Sequence, residues 1–317
     1  MKSFTKKLFS RCFSSVLVLF LVGCSGGENI EVKPVLSVEE VWAEVVRVDL
    51  NASEVTVVLK AIGANVAKFG LVVGQSRSFR VEAGDFGYLA SGKVFRAKVE
   101  PVTVADSGEN VFRFTQVWPA GPSIRSRFEN VNRMLRRDTI DRGERGETMR
   151  SVGDYLPPFA IIDQDGKLVA GDFFDDKRTV VNFIFTRCSV AEMCPTATNR
   201  MRRLQNLVFA NNFPGVQFLS ITLDPEHDFP GVLKTYAAAY QLDETNFRLC
   251  TATKPVIVDL LSQFGVSRIK GEKATLDHTM LTLLVNGRRQ IVHQVPGKSW
   301  STDDFLARLG GASEGSP

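Results

Sequence analysis

Histidine is scarce in this chain, with three among 317 residues: His227, His278 and His293. A metal store built on imidazoles is therefore excluded. Cysteine is nearly as rare, at five, too few for a disulfide scaffold in a chain of this length. No Cys-x-x-Cys occurs, so the usual thioredoxin-type dithiol motif is missing. Long apolar runs are also absent. The best, Phe13 to Val22, falls short of the roughly 20 residues a spanning helix needs. Beyond the first turn of sequence there is no excess of one charge. Lys2, Lys6, Lys7 and Arg11 account for the formal +4, and the remainder is neutral. That removes any global electrostatic case for binding nucleic acid. Hydrophobic residues make up 44% of the chain, enough to build a sizeable core.

What is present begins with a basic start, a short apolar run and Gly23-Cys24, the form of an export signal. Leu21-Val22-Gly23-Cys24 resembles a bacterial lipobox. The resemblance implies that residues 1–23 are a lipoprotein signal, that Cys24 carries lipid, and that 24–37 is a tether. The chain is then expected in the cell envelope, lipid-anchored and facing the periplasm, with the membrane a partner through Cys24. Cys12 leaves with the signal. Cys188 and Cys194 form a close pair, and Cys250 is left over. In an oxidising compartment such a pair is a disulfide or a metal site.

Residues 38–118 show short stretches of period two or β-branched character, such as Val55 to Leu59 and Val94 to Val99. Five such stretches predict a small all-β, OB-like barrel. It resembles CusF-like modules, which bind copper through His and Met. Residues 38–118 contain neither, so this barrel is expected to lack that site. Residues 119–150 hold eight arginines and five acids and read as a charged linker. A short helix is expected near Arg125 to Arg136, with Gly143 and Gly146 interrupting anything longer.

From 151 to 312 strands alternate with helices. Thr179 to Phe185 reads as a buried strand, and a helix is expected after Pro195 with Met201, Leu204 and Val208 inward. The hairpin Thr279 to Val295 and a last helix capped by Ser301 complete an α/β pattern. Between the buried strand and its helix lies Phe185-Thr186-Arg187-Cys188, then five residues, then Cys194-Pro195. Both sulfurs are thus expected at the carboxyl end of the sheet, where α/β folds keep their sites. The helix N-terminus is expected to favour Cys194 as thiolate.

These motifs, with Asp277-His278-Thr279, the Leu223-Asp224-Pro225-Glu226-His227-Asp228-Phe229-Pro230 segment, Gly153-Asp154 and Asp163 to Lys167, resemble the Sco/SenC family over about residues 150 to 310. The resemblance implies a thioredoxin-like fold. It also implies one copper ion, Cu(I) or Cu(II), held by Cys188, Cys194 and His278. Asp277 and Asp224 are expected to support those ligands. The client it implies is the dinuclear copper centre of cytochrome c oxidase subunit II, or another copper client in the envelope. The family spacer between the cysteines is three residues. The five here are expected to affect affinity and redox potential. An envelope thiol-disulfide oxidoreductase or redox sensor, with no obligatory metal, is the alternative. His227 reads as a surface residue, His293 as lying on an exposed strand face, and Cys250 as a buried hydrophobe.

Overall fold

In a computed structural model, residues 35–103, 110–147, 149–270 and 276–311 are described. The expected signal, Cys24 and most of the tether lie outside them. Alternation along the first strands decides the first half. In β1 (Glu40–Asp49), β2 (Glu54–Ile62), β3 (Ser76–Arg80), β4 (Val94–Thr103) and β5 (Asn110–Pro119), inward positions such as Val55, Val57, Leu59, Phe95 and Phe114 are fully buried. A short helix, α1 (Ala64–Ala67), separates β2 from β3. The five strands close in the order β1-β2-β3-β5-β4, the expected OB-like barrel. Register shifts in β1 after Trp42 and Val45, and in β4 after Arg96, supply curvature for closure. Phe79 stacks on Phe114 at 4.1 Å inside it.

The segment read as a charged linker is mostly one helix, α2 (Pro122–Glu144), running through Gly143. Its charges are mostly solvated, but a narrow stripe is not. Leu135 is fully buried, and Asn132 is buried with its amide bonded both ways to the backbone of Ala160, at 2.8 and 3.0 Å. Gly143 falls in the last turn, where a glycine costs little. Arg150 continues the attachment, donating to Gln263 Oε1 and Asp138 Oδ2, both at 2.6 Å.

The remaining elements are β6 (Ile161–Asp163), β7 (Leu168–Val169), β8 (Arg178–Ile184), α3 (Cys194–Ala210), β9 (Val216–Thr222), α4 (Pro230–Ala239), β10 (Phe247–Thr251), α5 (Lys254–Phe264), β11 (Arg268–Lys270), β12 (Leu276–His278), β13 (Leu281–Val285), β14 (Ile291–Pro296) and α6 (Thr302–Gly311). They form a seven-stranded mixed sheet, ordered β14-β13-β8-β9-β10-β6-β7. β8, β9 and β10 run parallel at its centre. Every residue of β9 is buried, as expected for a strand covered by helices on both faces. Met201, Leu204 and Val208 of α3 face inward as predicted. Ser301 Oγ accepts from the Asp304 N–H at 3.3 Å, capping α6. This is the α/β thioredoxin-like half of the molecule.

The barrel seats directly on this half. The turn Ala83–Gly87 meets the start of α4 so closely that a Cβ on Gly84 would lie 1.9 Å from the Gly231 carbonyl oxygen. Trp118 meets Phe229 edge-on, with ring centroids 6.4 Å apart.

Candidate metal centre

β8 ends at Ile184 and delivers Phe185, still buried, to the carboxyl edge of the sheet. Thr186, Arg187 and Cys188 follow. Cys194 opens α3, and Pro195 suits the first turn because no partner is required for its missing N–H. The five-residue spacer folds up rather than reaching out. Met193 N–H donates to the Val190 carbonyl at 3.0 Å, and Thr196 Oγ1 and N–H donate to the Ala191 carbonyl at 2.7 and 3.2 Å. The two residues beyond the family spacing are absorbed in this turn.

From the sequence, His278 is expected to adjoin the strand Thr279 to Val285, on the same sheet as the cysteine loop, but it arrives from a different place. It ends β12, in a two-stranded sheet with β11, and does not extend the main-sheet strand that begins at Leu281. Its Nδ1 lies 3.0 Å from the Thr279 carbonyl oxygen. A carbonyl only accepts, so Nδ1 carries the proton and Nε2 offers its lone pair. That Nε2 lies 3.5 Å from Cys194 Sγ. The Phe185 ring meets the imidazole edge-on at 5.3 Å and fixes its tilt. One ligand atom each from Cys188, Cys194 and His278 lie within 4.8 Å of one another. Neither cysteine is in a disulfide; Cys194 is buried and Cys188 half-buried.

The helix terminus does not govern Cys194 as expected. Burial pushes its thiol well above the ordinary value. A hydrogen bond with the Phe185 backbone acts against that, and the neighbouring Cys188 adds to it. In this environment the thiolate needs a cation beside it, which is what a metal supplies.

Asp224 is almost fully buried behind the cysteine loop, with the Arg187 guanidinium 2.6 Å away. Asp277 pairs with Ile269 along the backbone, but its side chain lies outside the described residues. The sequence placed Asp228 in the family-like Leu223 to Pro230 segment but gave it no role. It is fully buried and accepts from Thr186 N–H at 3.1 Å, Thr186 Oγ1 at 2.5 Å and Thr222 Oγ1 at 2.5 Å. Burial raises its carboxyl above the usual range, opposed by those hydrogen bonds. Its signal was an acid enclosed by Pro225, Phe229 and Pro230.

His227 is half-buried and outside the three-ligand cluster. His293 is not on an exposed face, since α6 covers it. It lies 2.9 Å from Asp304 Oδ2 and packs on Phe305 at 5.1 Å. Cys250 is fully buried on β10, where burial pushes its thiol up.

The arrangement is a soft, three-donor pocket at the end of a thioredoxin-like sheet. The SCO1/SenC family model matches residues 147–312, and the chain belongs to that family. A relative, the SCO1 protein homolog of Bacillus subtilis, is 32% identical over 150 residues, which is 47% of this chain and 70% of the relative. Among solved structures, a SCO1/SenC family lipoprotein from Bacillus anthracis is 25% identical, with a TM-score of 0.46, covering 51% of this chain and 96% of that one. Copper-bound ScoI of Arabidopsis thaliana is 23% identical, with a TM-score of 0.44, covering 50% and 96%.

Proposed function

We propose that this protein takes one copper ion between Cys188, Cys194 and His278 and passes it on as cargo. The observation that carries this is the convergence of two sulfurs and one imidazole nitrogen within 4.8 Å, from two separate elements. The donor chemistry fits. Soft thiolates suit Cu(I), and imidazole accommodates Cu(II). A structural zinc site is usually completed by a fourth protein ligand, and the cluster offers three.

Family membership supports the cytochrome c oxidase subunit II copper centre as the client, or another copper protein of the envelope. The lipobox-like Leu21 to Cys24 supports a lipid anchor facing the periplasm. No helix among the described residues is long and apolar enough to cross a membrane. Thiol-disulfide exchange is the second reading, because the two cysteines are unbonded and adjacent.

The two readings separate on His278→Ala. In the copper reading the reduced variant loses Cu(II) binding and keeps weakened Cu(I) binding, since two thiolates alone still hold Cu(I). In the exchange reading the variant reduces a test disulfide at the parental rate. Wild-type affinity for both copper states in the variant would remove His278 from the site.

A further inference from the structure

The three ligands come from elements that share no sheet. The cysteines follow β8 of the seven-stranded sheet, whereas His278 ends β12 of the two-stranded one. Something must hold the β11–β12 ribbon in register over the cysteine loop. We infer that Asp224 does so, as a positioning residue that holds one arginine from each ligand-bearing element. The inference rests on the copper reading above.

Arg187 immediately precedes Cys188, and its Nη2 lies 2.6 Å from Asp224 Oδ2. Arg268 stands directly opposite His278 in the β11–β12 ladder. Directly opposed residues of an antiparallel pair project from the same face, so Arg268 shares its face with the imidazole. Its Nη2 reaches the other carboxylate oxygen, Asp224 Oδ1, at 3.9 Å, and Glu226 Oε2 at 3.6 Å. One buried carboxylate thus spans the two halves of the centre.

Asp224 is itself fixed. Its N–H donates to Thr222 Oγ1 at 2.9 Å, and its carbonyl accepts from the N–H groups of His227 and Asp228 at 3.0 and 2.8 Å. Asp228, four residues on, grips Thr186. Two successive residues before Cys188 are therefore held from one loop. Removing the charge of Asp224 leaves the Arg187 guanidinium facing a neutral partner and breaks the one carboxylate link between that arginine and Arg268, which is then tied to the loop through Glu226 alone. The sulfur-to-imidazole spacing is then less tightly set, and the copper state most dependent on nitrogen suffers first.

The test is Asp224→Asn in the full chain, reduced, titrated with Cu(II) and with Cu(I). Cu(II) affinity should fall about 10–100-fold, as is typical when a metal ligand loses its outer support. The Cu(II) absorption and paramagnetic spectra should change with it, and Cu(I) affinity should change less. Arg187→Gln, at a half-exposed residue, should give part of the same effect and less than its full effect on top of Asp224→Asn. It also serves if Asp224→Asn does not fold. Asp259→Asn, which removes a buried acid paired with Arg136 at 2.6 Å, should cost stability and leave the spectrum unchanged.

The position of the Cys188–Cys194 dithiol equilibrium against glutathione is the metal-free measurement, and it should shift in Asp224→Asn. Should the wild type take up no copper, the copper reading fails and this equilibrium alone decides the inference. Parental Cu(II) spectrum, affinity and dithiol equilibrium in both variants would overturn it.

Discussion

His278 and Cys194 face each other because each is held from behind. The Thr279 carbonyl accepts a hydrogen bond from His278 Nδ1–H, and the first turn of α3 fixes Cys194. The cysteines and His278 were legible in the sequence because their residue types are rare and their flanking motifs specific. The groups behind them were not. Asp228 and Asn132 are buried polar residues whose partners Thr186 and Ala160 lie 42 and 28 residues away along the chain, which no local pattern shows. Asp85 is a further case. It sits on the barrel turn that abuts Gly231, and burial, with Glu82 nearby, raises its carboxyl from 3.8 to about 7. A raised carboxyl contributes stability fully below its unfolded value and loses it as pH rises through the folded one. Asp85→Asn should therefore unfold at higher denaturant than the parent at pH 8, by at most ~4 kcal/mol. The gap should narrow toward pH 4. An equal gap at both pH values would contradict the assignment.

At the scale of elements, the burial of Leu135 makes α2 part of the α/β fold. Leu135→Ala should cost about 2–5 kcal/mol in chemical denaturation. Arg137→Ala, on the solvent side of the same helix at 85% exposure, should cost under about 0.5 kcal/mol. Equal, small effects would return the segment to a solvated linker. The misreading has a physical cause. Eight arginines mask a stripe one or two residues wide, and that stripe anchors the helix through burial and two amide hydrogen bonds. The β8 strand and α3 were legible because a continuous apolar run and a 3.6-residue repeat survive any context. The β11–β12 ribbon was not, since three-residue strands have no period to detect. That is why His278 was assigned to the wrong sheet but to the right neighbours.

Over the whole molecule, a barrel with no His or Met between residues 38 and 118 packs beside a family domain that carries the soft donors. Copper should therefore bind one per chain, and the barrel should contribute none. A second tight copper per reduced chain would show otherwise. Redox state should act as the gate. Closing a Cys188–Cys194 disulfide consumes both thiolates, so the oxidised chain should take up no copper. The central claim is that two sulfurs and one imidazole share one copper ion. X-ray absorption on the reduced full chain carrying one equivalent of Cu(I) tests it most directly. The spectrum should show two sulfur scatterers and one imidazole nitrogen, with the nitrogen lost in His278→Ala while both sulfurs remain. A copper shell without that nitrogen, or one unchanged in the variant, would contradict it.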